Sequence, residues 1–137
     1  MKKNKTLLFT INKKGHSRSN PDLLRIILSP DHTKIDFGYT AKEIYDNGGW
    51  IRIAPETHIE ITETSKHYIL DKTEGIPISP EHHYFESSKE WRYFSLYFPP
   101  IPQTDCTINI IEIENGSRND FNYYGVVLKM IEGVEIL

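Results

Sequence analysis

The chain has 137 residues, of which 38% are hydrophobic, 12% aromatic and 26% charged, a globular composition that excludes a disordered chain. The net charge is −3, yet the first 18 residues hold six of the 16 bases and no acid. Cys106 is the single cysteine, which excludes an intramolecular disulfide and a cluster of thiolate metal ligands. We therefore predict one domain over residues 1–137, in which residues 1–20 form a basic N-terminal arm and the first strand.

The first forty residues predict a short strand followed by a β-hairpin. Residues 6–11 form a short apolar run, and residues 15–22 form a polar loop. Residues 23–28 are apolar apart from one arginine, whereas residues 34–39 alternate between apolar and polar side chains, as in a half-buried strand. The sequence SPDH at 29–32 is typical of a turn, because proline fixes φ and aspartate can bond its own backbone.

The rest of the chain predicts further short strands, separated by turns about every ten residues. Residues 42–45 are the one place where the pattern allows a helical turn, and residues 81–90 predict a polar, histidine-rich loop. The predicted strands and extended segments are residues 50–53, 58–62, 66–70, 75–80, 92–98, 107–114, 121–130 and 134–137. No helix is long enough to connect parallel strands, so the pattern predicts an all-β, antiparallel sandwich or barrel of eight or nine strands.

The period-two pattern also predicts the core and the face opposite to it. In residues 92–98 the apolar side chains of Phe94, Leu96 and Phe98 share one face of the strand. Tyr93, Ser95 and Tyr97 then share the other face. The predicted core comprises Ile26, Leu28, Ile35, Phe37, Ile51, Ile53, Leu96, Phe98 and Val126, and we interpret Cys106 as a buried, unreactive thiol.

The order of these motifs between Arg25 and Leu128 resembles a family of small β-sandwich domains common in Bacteroidota proteins. Members of that family often precede thioredoxin-like domains or occur in lipoproteins. The resemblance implies an immunoglobulin-like fold, usually outside the cytoplasm, and it implies no catalytic residues. The motifs that carry it are RIILSPDHTKIDFGY, GWIRIAPETHI, HYILDKTEGIPISP, FSLYFPPIP, INIIEIE and FNYYGVVL.

The sequence predicts no catalytic apparatus, no metal site and no cofactor, so we expect the protein not to be an enzyme. It lacks the G-x-S-x-G, P-loop, G-x-G-x-x-G and H-E-x-x-H motifs. His82 and His83 are the one local histidine cluster. Neighbouring residues of an extended segment point to opposite sides, so these two imidazoles do not readily share a metal ion. Nineteen acids allow many carboxylate pairs, but the sequence marks out none of them.

The aromatic residues at the start of the 92–98 strand predict a binding surface. Trp91 stands at its entry, and Tyr93 and Tyr97 face away from the predicted core. Tyr and Trp are enriched at binding hot spots because they bring large contact areas at little cost in rotamer entropy. We therefore predict a non-catalytic protein-interaction module, such as a small subunit of a multi-component assembly. It would contact another protein through Trp91, Tyr93 and Tyr97. The alternative explanation for these rings is that a neighbouring segment covers them.

Two other functions stay open. Exposed aromatic rings also stack on sugars, which favours a carbohydrate- or small-ligand-binding sandwich. The basic N-terminal arm favours a nucleic-acid-associated accessory protein, although the bases are interrupted by the apolar run at residues 6–11 and nucleic acid is the less expected partner. No apolar stretch is long enough for a membrane span or for the core of a signal peptide. We expect a cytoplasmic protein, or a periplasmic or extracellular one if a signal was removed.

Overall fold

The computed structural model describes residues 5–13, 21–40, 50–51, 53–76, 83–84, 91–112 and 122–136. Within these residues the chain forms twelve strands and one short 3-10 turn. The strands are β1 (Thr6–Lys13), β2 (Asp22–Leu28), β3 (Thr33–Thr40), β4 (Trp50–Ile51), β5 (His58–Ile61), β6 (Lys66–Ile69), β7 (Lys72–Glu74), β8 (His83–Tyr84), β9 (Trp91–Phe98), β10 (Cys106–Ile111), β11 (Tyr123–Leu128) and β12 (Val134–Ile136), and the 3-10 turn spans Met130–Glu132.

The strands form two main antiparallel sheets, which confirms the predicted all-β, antiparallel class. One sheet has six strands in the order β12-β1-β2-β3-β9-β7, and the other has four in the order β11-β10-β5-β6. A two-stranded sheet pairs β4 with β8. The sequence predicted neither β7 nor β8. Both are two or three residues long and lack the apolar alternation by which a strand is recognised.

The hydrophobic core joins the inner faces of the two main sheets. Leu23, Ile26 and Leu28 of β2 are buried in the six-stranded sheet, and Ile59 and Ile61 of β5 are buried in the four-stranded sheet. All the predicted core residues that the structure describes in full are buried: Ile26, Leu28, Ile35, Phe37, Ile53, Leu96, Phe98 and Val126. The side chain of Ile51 lies outside the described residues. The alternation in β9 is therefore confirmed, with Leu96 fully enclosed.

The predicted hairpin forms between β2 and β3, but a different side chain supports its turn. The backbone N–H of Ser29 donates to the carbonyl of His32, at 3.0 Å. The hydroxyl oxygen of Ser29 accepts hydrogen bonds from the backbone N–H groups of Asp31 and His32, at 3.2 and 3.1 Å. The turn is thus held by the serine at its first position, whereas the sequence prediction assigned this role to the aspartate. A hydroxyl at the first position of a turn reaches the backbone N–H groups two and three residues later.

The pairing of β10 with β11 contains a bulge. Ile108 pairs with Val126, but Ile110 pairs with Tyr123, so β11 holds one residue more than β10 in this interval. Gly125 lies in the bulge with φ +67°, and its N–H donates to Oδ1 of Asn109 at 2.9 Å. A glycine accepts this backbone conformation without steric cost.

The end of the chain crosses from one sheet to the other. β11 is the edge strand of the four-stranded sheet, and after the 3-10 turn β12 becomes the edge strand of the six-stranded sheet. There β12 pairs with the N-terminal strand β1, a pairing that the predicted strand at 134–137 did not specify. In the parts of the chain described here, no helix has the length and apolarity that a membrane crossing requires.

Candidate functional site

The outer face of the six-stranded sheet carries a regular array of polar and charged side chains. Directly paired residues of antiparallel strands point to the same face, so the strand register defines the rows of this array. From β2 to β7, one row reads Arg25, Asp36, Ser95 and Glu74, and the next reads Ile27, Lys34, Tyr97 and Lys72. We call these two rows and the adjoining Tyr93 the outer-face site.

Asp36 is the buried centre of the outer-face site, only 7% exposed. Its Oδ2 accepts a hydrogen bond from Nε of Arg25 at 2.5 Å, and its Oδ1 accepts one from the hydroxyl of Ser95 at 2.5 Å. Nζ of Lys34 lies 3.7 Å from Oδ1. A carboxylate withdrawn from water needs such partners, and in return it fixes the side chains that donate to it. Asp36 therefore positions Arg25, whose side chain stays 54% exposed.

Tyr97 occupies the second row and is engaged by its neighbours. Its hydroxyl donates to Oε1 of Glu74, and Nζ of Lys72 and Lys34 lie 4.7 and 5.9 Å from the centre of its ring. The ring of His32 packs edge-on against it with centroids 5.3 Å apart. Burial and the hydrogen bond to the Glu74 carboxylate raise the pKa of Tyr97 to about 12. Part of the contact area expected of Tyr97 is thus used within the domain.

Tyr93 differs from Tyr97 in its exposure, which is 70%. Its direct partner on β3 is Gly38, which has no side chain to cover the ring. On the β7 side, Gly75 approaches so closely that an added Cβ would lie 2.7 Å from the carbonyl oxygen of Tyr93, and its φ is +82°. A glycine is the residue that allows both this approach and this φ. Neither glycine carries a side chain over Tyr93, in keeping with its high exposure.

An open groove of about 430 Å³ lies beside Tyr93 on the outer face. Its lining includes both ends of the first row and the apolar Leu24. Among the lining residues are Leu24, Arg25, Asp36, Glu74, Tyr93 and Ser95. An exposed aromatic ring, a positioned arginine and two carboxylates therefore share one depression, and this combination suits recognition of a polar ligand.

The third predicted contact residue, Trp91, pairs through its backbone with Thr40, but its side chain lies outside the described residues. The predicted loop at 81–90 is described only at His83–Tyr84, which forms β8, and the predicted helical turn at 42–45 and most of the basic arm also lie outside them. The sequence analysis did not identify Arg25, Asp36 or Glu74. Strand register is the signal that would have found them, because they become neighbours only through pairing of β2, β3, β9 and β7.

A histidine pair that the sequence analysis missed lies on the outer face of the four-stranded sheet. The rings of His58 and His67 stack with centroids 4.3 Å apart, and Nε2 of His67 lies 3.4 Å from Oε2 of Glu60. Pairing of β5 with β6 brings these residues together, whereas adjacency in sequence singled out His82 and His83. Nowhere in the described ranges do three or more His, Cys, Asp or Glu side chains form a group able to hold a metal ion.

Cys106 is buried, as predicted, at the start of β10. Burial raises the pKa of its thiol, and the nearby carboxylates of Glu63 and Asp105 raise it further. Because the thiolate is the nucleophilic form, this environment opposes reaction at Cys106.

Comparison with models of protein families found no match for this chain. Comparison with curated proteins and with solved structures likewise found none. The functional assignment therefore depends on the geometry of the chain itself.

Proposed function

We propose that this protein is a non-catalytic interaction module that docks a partner protein on the outer-face site. The observation that supports this most directly is the 70% exposure of Tyr93 in the same groove as Arg25, an arginine positioned by the buried Asp36. Tyr and Arg are, with Trp, the residues most enriched at binding hot spots. Arginine loses less conformational entropy on binding when its position is already fixed, so this pair is prepared for contact before a partner arrives.

The proposal includes the finer class of the fold, an immunoglobulin-like sandwich. It is supported by two antiparallel main sheets around one core and by the change of sheet between β11 and β12. Sandwich domains of this kind present sheet faces and edge strands to other molecules without needing a catalytic centre.

Site-specific photocrosslinking tests the proposed docking face. A photoreactive p-benzoylphenylalanine replaces Tyr93 in one variant, and in the control it replaces Tyr124, which is 48% exposed on the four-stranded sheet. We expect one protein of the producing organism to crosslink at position 93 and not at position 124. Once that protein is purified, Tyr93→Ala should weaken its binding about tenfold, or about 1–2 kcal/mol, and Tyr124→Ala should leave it unchanged. Equal loss in both variants would contradict the proposal.

A second candidate function, binding of a carbohydrate or small polar ligand, is favoured by the groove beside Tyr93. Its volume of about 430 Å³ falls within the range typical of small-molecule sites, and an aromatic ring next to carboxylates is suited to a sugar. Glycan-array binding distinguishes the two functions. Saturable binding of one glycan that Tyr93→Ala abolishes would favour this candidate over the docking of a protein.

A further inference from the structure

We propose that Arg25 binds a carboxylate side chain of an acidic, extended segment of the partner protein, with Tyr93 packing beside that segment. This inference rests on the proposed docking function and names the chemistry of the partner. It starts from the guanidinium group of Arg25, which uses its Nε to bind Asp36. Within the ranges that the structure describes, the two terminal nitrogens of Arg25 make no hydrogen bond or ion pair.

The terminal nitrogens of an arginine are well suited to a carboxylate. They hold four N–H groups, and two parallel N–H groups match the two oxygens of a carboxylate in a fork. Asp36 fixes the third nitrogen, so the plane of the guanidinium is set by a buried group behind it. A carboxylate that approaches from the groove therefore meets donors that are already oriented, and the affinity gained is not spent on ordering the side chain.

The charges of the outer-face site support an acidic partner. The two rows contain three cations, Arg25, Lys34 and Lys72, and two anions, Asp36 and Glu74. Both anions already accept hydrogen bonds, Asp36 from Arg25 and Ser95 and Glu74 from Tyr97. A further acid, Asp22, lies on β2 in the adjoining row, across Gly38 from Tyr93, so the excess of cations is confined to the two rows.

The extended form of the partner segment follows from the shape of the site. The groove is open and lies along a flat array of side chains, with Tyr93 on β9 and Arg25 on β2 separated by the whole width of β3. Neighbouring strands are about 4.8 Å apart, so the two residues are separated by about 10 Å across the sheet. An extended segment covers this distance with about three residues, at about 3.3 Å per residue.

NMR titration of the isotope-labelled full chain with short capped peptides tests the inference without any mutation. The probes are acetyl-Gly-Glu-Gly-Glu-Gly-amide and the same peptide with Gln in place of Glu. We expect the Glu peptide to shift the Nε–H signal of Arg25 and the amide of Tyr93 saturably, and increasingly weakly as salt is raised. The Gln peptide should bind at least tenfold more weakly. Equal binding of both peptides, or shifts elsewhere on the protein, would overturn the inference.

Two variants and one small anion sharpen the test. Arg25→Lys keeps the charge but loses the fork, so it should weaken Glu-peptide binding about tenfold. The matched control is Lys66→Gln, which removes an exposed cation lying 5.2 Å from the ring of Tyr68 on the other sheet and should change nothing. Sodium acetate should shift Arg25 only at far higher concentration than the Glu peptide. If acetate binds as tightly, a free carboxylate is the ligand and the inference is wrong.

The outcome for the docking function is read separately. If the protein crosslinked at position 93 binds Arg25→Lys as tightly as the native chain, the carboxylate inference fails while the docking face stands. If no protein crosslinks at position 93, the docking function fails, and with it the assignment of the carboxylate to a partner protein.

Discussion

Replacement by alanine should lower the free energy of unfolding by very different amounts at Tyr93 and Tyr97, the two tyrosines of β9 on the outer face of the six-stranded sheet. Tyr97→Ala removes the hydrogen bond to Glu74, worth about 1 kcal/mol for a partly exposed charged acceptor. It also removes the contacts of Lys34 and Lys72 with the ring, worth about 0.5 kcal/mol each at the surface. Tyr93→Ala removes a ring that is 70% exposed, and we expect it to cost about 0.5 kcal/mol at most beyond the loss of strand propensity. Because both residues lie in the same strand, the propensity loss is common to both.

The measurement is equilibrium unfolding in urea, followed by fluorescence and circular dichroism. The expected difference in the free energy of unfolding is about 2 kcal/mol, or about 1 M in the urea midpoint for an m-value near 2 kcal/mol/M. Tyr97→Phe keeps the ring between the two lysines and removes only the hydroxyl. It should lower the free energy of unfolding about half as much as Tyr97→Ala does. If Tyr93→Ala lowers the midpoint as much as Tyr97→Ala, the Tyr93 ring is part of the folded domain's packing and the reasoning for its availability is refuted.

Three further predictions concern the core, the pH dependence and the cysteine. Leu96→Ala should cost about 2–5 kcal/mol, because Leu96 is fully buried and its removal leaves a cavity; a loss below about 0.5 kcal/mol in urea unfolding would contradict the register of β9. The Tyr97 pKa of about 12 lies above its ordinary value near 10, so this hydroxyl stabilises the fold below pH 10 and loses that contribution as the pH rises through 12. Absorbance titration at alkaline pH should show a late-titrating component in the native chain that Tyr97→Phe removes, and Glu74→Gln should make this component titrate earlier. Cys106 should react with a thiol-specific disulfide reagent far more slowly than it does in denaturant, and equal rates would show that the thiol is accessible.

The sequence predicted those parts of the fold that alternation and turn residues determine locally. The hairpin of β2 and β3 and the inward face of β9 follow from patterns within six to eight residues, and the structure confirms them. The strand β7 could not be recognised in this way. Its three residues Lys72–Glu74 are all polar, and its place beside β9 depends on a close approach of Gly75 to the backbone of β9. Such contacts are non-local and leave no period in the sequence.

The candidate site was predictable only in part for the same reason. The outward direction of Tyr93 and Tyr97 follows from alternation alone. The buried carboxylate of Asp36 does not, because an aspartate in a strand normally faces solvent and this one is covered by groups from β2 and β9. The His58–His67 stack likewise requires the register of β5 and β6. Which residues become neighbours across strands was therefore the missing information.

The pairing of β1 with β12 has a consequence for the synthesis of the protein. Thr6 pairs with Ile136, so one side of β1 acquires its partner only after the residues between these two have been made. At about 5–20 residues per second, the ribosome needs on the order of ten seconds to produce the intervening residues. During that interval the nascent chain presents an open strand edge, which is a template for pairing with other chains. A chaperone that covers this edge of β1 until β12 has been made would therefore protect the chain from such pairing.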